Sequence, residues 1–142
     1  MNLIKLFILG DIGYYNNILQ NSVNICENRM NTNDKILLLG DNFYDQGVDD
    51  LKDKLWDDYS RIFKNISSNN IYSILGNHDY MKNPCCQINN NYWSTPNFYY
   101  KLEYGLNLDL YFLDTVLLYH GHCRISKDMI QSNHNKSANL LK

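Results

Sequence analysis

The chain of 142 residues is poor in several things at once. It has two prolines and seven glycines, too few for a collagen-like or low-complexity chain. It has no long apolar run: Ile36-Leu37-Leu38-Leu39 is typical, against the roughly 20 residues a membrane-spanning helix needs. It has no excess of positive charge. Thirteen Lys and Arg stand against 15 Asp and Glu, a formal net charge of −2, so there is no basic field to gather nucleic acid or an anionic membrane surface. The four cysteines, Cys26, Cys85, Cys86 and Cys123, form no CxxC pair and no zinc-ribbon spacing, which argues for free thiols over a disulfide scaffold. No internal repeat and no linker divides the chain.

What remains is an ordinary globular balance, 44% hydrophobic and 20% charged, on a length suited to one domain. A core of this size buries roughly 70% of the unfolded chain's surface. The excess of Asn (22) and Tyr (12) fits AT-rich coding, with the Asn scattered or grouped in expected loops at 67–70 and 89–91. The apolar start, Leu3 to Leu9, carries Lys5 within it, lacks a small-residue cleavage site and runs straight into Gly10-Asp11. A first buried strand explains it better than an export signal, and the cytoplasm is the default location.

Three apolar runs each end in Gly plus a polar residue: Leu3 to Leu9 before Gly10-Asp11, Lys35 to Leu39 before Gly40-Asp41, and Ile71 to Leu75 before Gly76-Asn77. Runs of this length bounded by turn signals read as strands buried on both faces. Between them, residues 16–30 place Ile18, Leu19, Val23 and Ile25 on one side of a helix, with Cys26 and Met30 near it. Residues 48–64 place Leu51, Leu55, Tyr59, Ile62 and Phe63 at helical spacing. Strand alternating with helix predicts an α/β fold with a mostly parallel sheet and flanking helices. Further strands are expected near 98–102 and 109–113, after an aromatic stretch in which Trp93, Tyr99 and Tyr100 read as packing residues. Asp114 reads as a turn at a strand end.

The three Gly-polar pairs then fall at the carboxyl ends of parallel strands, the edge where open α/β sheets bind ligands. Each Gly lets the backbone turn, and each following residue, Asp11, Asp41 and Asn77, carries an oxygen at its tip. Tyr44, three residues after Asp41, can swing back to the same point. Hard oxygen donors with a phenolate suit a trivalent iron or another oxygen-loving metal, and amide or imidazole ligands a divalent one. His78 would sit beside such metals as an acid or a substrate anchor. A nucleotide-binding reading is weak, since no Gly-x-Gly-x-x-Gly or phosphate-loop lysine follows any of the three strands.

These motifs resemble the calcineurin-like metallophosphoesterases, and most closely the purple acid phosphatases of the tartrate-resistant type. The likeness runs from about Leu3 to Val116 and rests on Gly40-Asp41-Asn42-Phe43-Tyr44-Asp45-Gln46-Gly47-Val48, on Gly76-Asn77-His78-Asp79, on the aromatic stretch from Trp93 to Tyr100, and on Leu113-Asp114-Thr115-Val116. The resemblance implies half of a four-layer α/β/β/α sandwich and a binuclear metal centre, Fe with Zn, Fe or Mn. In it Asp11 would bind the iron, Asp41 would bridge both metals, Tyr44 would bind iron as the phenolate behind the family's purple colour, and Asn77 would bind the second metal. His78 would contact the phosphate or help protonate the leaving alcohol of a phosphomonoester substrate.

The resemblance also implies three more histidines, one in a later Gly-His turn and two in a Gly-His-x-His turn. Gly121-His122-Cys123-Arg124 has Arg where the second His of the latter belongs. The expectation is therefore the amino-terminal part of a phosphoesterase domain over residues 1–120, followed by a polar tail at 121–142, disordered or starting a helix. His120, His122 and Cys123 read as a solvated loop, and His134 as facing water. The alternative is a truncated, catalytically inactive remnant, acting as a binding module or self-associating through an uncovered sheet face.

Overall fold

Parallel strands form where the apolar runs end in glycine. The computed structural model describes residues 4–104 and 108–116; the sequence readings at His120, His122, Cys123, His134 and the tail 121–142 lie outside the described residues. Strands β1 (Leu6–Leu9), β2 (Lys35–Leu39) and β3 (Ile71–Ile74) make a three-stranded sheet in the order β1-β2-β3, parallel throughout. The register pairs Leu9 with Leu38 and Leu39 with Ile74, so the three strands end almost level. Strands β4 (Tyr99–Tyr104) and β5 (Leu108–Leu113) form a separate antiparallel pair.

Helix α1 (Asn17–Arg29) starts where Asn16 accepts a hydrogen bond from the Leu19 N–H at 2.9 Å, the capping role that short polar side chains fill. Helix α2 (Lys54–Ile62) starts at Asp53, which accepts from the Leu55 N–H at 3.1 Å. Both helices pack on one face of the parallel sheet. Leu19, Val23 and Cys26 of α1 and Trp56, Tyr59 and Ile62 of α2 share a core with Ile36, Leu38 and Ile71. On the other face Leu37 packs with Tyr100 of β4 and Phe112 of β5. The layers are helix, parallel sheet, hairpin, which is the α/β architecture the sequence predicts. Strand β2 is apolar at four successive positions because side chains that alternate along a strand here meet a core on each face.

Three expectations need correction. Ile18 and Ile25 lie off the buried stripe of α1, at 77% and 53% exposure; the stripe is the narrower Leu19, Val23, Cys26. The second helix begins at Lys54, not Val48, because Asp53 caps it and the Trp56 indole donates to the Asp50 carbonyl at 3.0 Å, closing a turn ahead of it. Val48 is fully buried from the preceding loop, while Leu51 is exposed. Among the described residues, the parallel strands are not covered on both faces along their whole length. The hairpin packs Leu6, Leu37, Tyr72 and Ile74, but two strands do not span three, and Ile8 and Leu39 stay 59% and 50% exposed.

The aromatic stretch serves packing, as expected. Trp93, Tyr99 and Tyr100 are buried. The segment around Ser94 also finishes the free edge of β3: the Ser73 N–H donates to the Ser94 carbonyl, and the Ser94 N–H to the Ile71 carbonyl. Asp114 is buried and accepts from the Tyr80 hydroxyl and the Val116 N–H. Among the described residues, no helix is long and apolar enough to cross a membrane.

Candidate metal centre

The level strand ends bring three loops together. The first residue pair after β1 is tied to that after β2 by the Asp11 N–H donating to the Gly40 carbonyl at 3.3 Å. Asp11 and Asp41 both take left-handed backbone conformations, φ 53° and 51°, which cost energy for residues with a Cβ and recur at functional sites. Gly76 is required beside Asp41, since a Cβ there would come within 2.1 Å of Asp41 Oδ1.

Tyr44 folds back as its position after Asp41 predicts. Its N–H donates to the Gly13 carbonyl at 3.0 Å, and a Cβ on Gly13 would lie 2.5 Å from that same nitrogen. The phenol oxygen lies 2.6 Å from Asp11 Oδ1 and 2.8 Å from Asp41 Oδ2. A hydroxyl has one hydrogen. It satisfies one of these two contacts and leaves the other as an oxygen facing a carboxylate oxygen. A cation among the three oxygens would relieve that crowding, so the donor set fits a hard metal ion. Burial first, and then the contacts with the two carboxylates, raise the Tyr44 pKa well above that of a free phenol. A bound multivalent cation inverts this local logic.

His78 approaches from the third loop. Its N–H donates to Asp41 Oδ1 at 3.1 Å, and its ring meets the Tyr44 ring edge-on at 4.5 Å. The ring Nδ1 faces the Asp45 carbonyl oxygen. Asn77, one residue earlier, is exposed and leaves its side chain uncommitted, with no capping bond to the short helical turn His78–Met81 that follows it. Tyr44 thus touches Asp11, Asp41 and His78, the His78 N–H reaches Asp41, and Asn77 adjoins them on the same edge. Among the described residues no group of three or more His, Cys, Asp or Glu gathers as a metal site. The set here has two carboxylates, with a phenol and an amide beside them.

Two parts of the site have no counterpart in the sequence reading. Asp79 is buried and accepts from the N–H groups of Asn42, Phe43 and Gly76 and from the Gln87 amide, at 2.8–3.1 Å. It stitches the loop after β2 to the loop after β3. Burial pushes its pKa up to about 6, against the opposing pull of those donors. Its signal was its place three residues after Gly76, where a carboxylate can reach back to turn N–H groups. Tyr14 stacks near Tyr44, ring centroids 4.9 Å apart, and its hydroxyl donates to the Asp45 carboxylate. Nothing in the spacing marked it. Phe43 anchors the same loop from below, fully buried against Trp56, Tyr59 and Trp93.

Residues 4–140 match the family model described as calcineurin-like phosphoesterase. The chain belongs to that family. Among curated proteins the chain is similar to tartrate-resistant acid phosphatase type 5 of Sus scrofa, 34% identical over 119 residues, covering 75% of this chain and 34% of that protein. It is similar to the protein of the same name from Oryctolagus cuniculus, 32% identical over 117 residues, covering 74% of this chain and 35% of that one. The Homo sapiens protein is 34% identical over 97 residues, covering 60% and 30%. The chain therefore spans about a third of the length of the curated relatives it matches. These matches agree with the purple acid phosphatase resemblance read from the motifs.

Proposed function

We propose that this chain supplies the metal-binding strand ends of a phosphoesterase that hydrolyses phosphomonoesters at a binuclear centre, with Asp11, Asp41, Tyr44 and Asn77 as metal ligands and iron paired with zinc, iron or manganese. The observation that carries the reading is the Tyr44 oxygen held within 2.8 Å of two carboxylates with one hydrogen to share. Metal ions at such a site supply Lewis acidity to the phosphoryl oxygens and a nucleophilic water at neutral pH. Asp41, in contact with both Tyr44 and the His78 N–H, would serve two ions, and Asp11 and Tyr44 would hold one. His78 would bind a phosphate oxygen or give its proton to the departing alkoxide. The Asp45 carbonyl at Nδ1 fixes the ring's orientation for that task.

Two measurements test this together: metals per chain by elemental analysis of chelator-free protein, and hydrolysis of p-nitrophenyl phosphate. Two metals per chain with iron among them, and turnover lost in Asp41→Ala, is the expected result. Metal-free protein, or undiminished turnover in Asp41→Ala, would sink the reading.

A second reading has its own observation, the uncovered Ile8 and Leu39 on the hairpin side of the sheet. A non-catalytic module that associates with another copy through this face would bind little metal, hydrolyse nothing and sediment as a dimer or larger.

A further inference from the structure

Tyr14 stands in the loop after β1, three residues beyond Asp11, and is 53% exposed. Half in water, its ring is not placed by the core, yet it turns inward. The ring lies 4.9 Å from the Tyr44 ring, and the hydroxyl donates to the Asp45 carboxylate. Its neighbour Tyr15, exposed to a similar degree, turns instead to the Arg61 guanidinium, 5.8 Å from the ring centroid. The backbone leading into Tyr14 is pinned, because the Ile12 carbonyl accepts from the Tyr59 hydroxyl and the Gly13 carbonyl from the Tyr44 N–H.

Asp45 is the other half of the arrangement. It is exposed, and among the described residues its carboxylate has no cationic partner. The Tyr14 hydroxyl is what holds it, and a hydrogen bond to a carboxylate is of the strong, charge-assisted kind. The Asp45 carbonyl oxygen faces Nδ1 of His78. A carbonyl oxygen only accepts, so Nδ1 carries the hydrogen of that bond and Nε2 is the nitrogen left to meet a substrate. Tyr14 thus reaches His78 by two routes: through Asp45, and through the Tyr44 ring, which meets the His78 ring edge-on at 4.5 Å. The first route needs the Tyr14 hydroxyl, and the second only its ring.

The orientation of His78 matters for the step assigned to it under the phosphoesterase reading. The oxygen of water forms the new bond to phosphorus, the electron pair of the old P–O bond leaves with the alcohol oxygen, and that oxygen takes a proton. An alkoxide leaves poorly without the proton, whereas p-nitrophenolate leaves as the anion. A small misplacement of the donor costs much of its effect.

We propose that Tyr14 is a positioning residue for His78: its hydroxyl holds the Asp45 carboxylate, and the Asp45 carbonyl in turn holds the imidazole with Nε2 presented to the leaving alcohol. Its catalytic consequence rests on the phosphoesterase reading. It is tested on the full chain with Tyr14→Phe, which keeps the ring on Tyr44 and removes the hydroxyl, with Asp45→Ala, and with the double variant. In long-range ¹H–¹⁵N spectra at a pH where the imidazole is neutral, the His78 signals are those lost in His78→Ala. They should show hydrogen on Nδ1 in the wild type and move toward the Nε2–H tautomer in both single variants. In steady-state kinetics, both should lower kcat on glycerol 2-phosphate about tenfold more than on p-nitrophenyl phosphate, with KM little changed. The double variant should be no slower than the slower single one, since one link is broken either way. The proposal is overturned if the His78 tautomer is the same in all three proteins, if both substrates slow equally, or if the two substitutions add. A wild-type chain that hydrolyses neither substrate overturns the phosphoesterase reading and the catalytic consequence with it, while the imidazole signals still decide whether Tyr14 holds the ring.

Discussion

At the scale of single residues, the site is a contest between carboxylates that repel and hydrogen-bond donors that hold them. Asp41 gathers the Tyr44 hydroxyl on one oxygen and the His78 N–H on the other, so Asp41→Ala should lower metal affinity by more than about 100-fold, read by isothermal titration with Zn²⁺ or Mn²⁺. Tyr44→Phe removes the phenol oxygen while keeping the ring against His78. If iron loads, that variant should lose the visible absorption band of the wild type while its fold, followed by circular dichroism, is unchanged. Asp79 is a different kind of carboxylate. Its replacement by Ala strands four donors, three of them backbone N–H groups, and should cost more than about 3 kcal/mol in urea denaturation.

Asp34 shows how pH enters. It is buried and accepts from the Lys5 and Asn31 N–H groups at 2.8 Å each, which holds its carboxyl below the usual aspartate range. A depressed folded-state pKa contributes stability that is present above the ordinary value and lost as pH falls through the lower one. Asp34→Asn should therefore flatten the fall of the melting temperature as pH drops below the ordinary aspartate range. An unchanged acid slope would show that other carboxylates govern it.

At the scale of elements, caps and anchors decide where helices begin and loops lie. Asn16→Ala removes the cap of α1 and should cost about 1 kcal/mol, with the candidate metal centre untouched since α1 contributes no side chain to it. Phe43→Ala should cost about 3–5 kcal/mol, and it should also loosen the loop that carries Asp41 and Tyr44, because Phe43 packs against Trp56, Tyr59 and Trp93. The periodicity that locates α2 in the sequence cannot give its first residue. Leu51 continues the apolar spacing yet points to water, because the Asp50 and Asp53 turn intervenes. Similarly, Ile18 and Ile25 satisfy a helical stripe one position away from the one that packs.

At the scale of the whole molecule, the hairpin laid on the three-stranded sheet leaves apolar surface exposed among the described residues, beside the candidate metal centre. Leu39 ends its strand immediately before Gly40-Asp41, and Ile8 is the next-to-last residue of β1, two positions before Gly10-Asp11. The self-association reading predicts that Ile8→Lys with Leu39→Glu converts an oligomer to a monomer in analytical ultracentrifugation, with little change in thermal stability because both positions are already half exposed. A wild-type chain that sediments as a monomer would remove that reading.

The sequence by itself determined the parallel strands, the edge at which they end, and the residues Asp11, Asp41, Tyr44, Asn77 and His78 that stand there. It could do so because strand endings are written in short spacings: Gly then a residue with a polar oxygen, and after β2 a tyrosine three residues on. Only the tertiary structure decided that the Tyr44 oxygen falls between two carboxylates and that Asp79 ties two loops together. Those facts depend on residues that are from 3 to 37 positions apart in the chain. Which side chains meet across such separations is set by strand register, the reach of the hairpin and burial, and no local pattern carries that information.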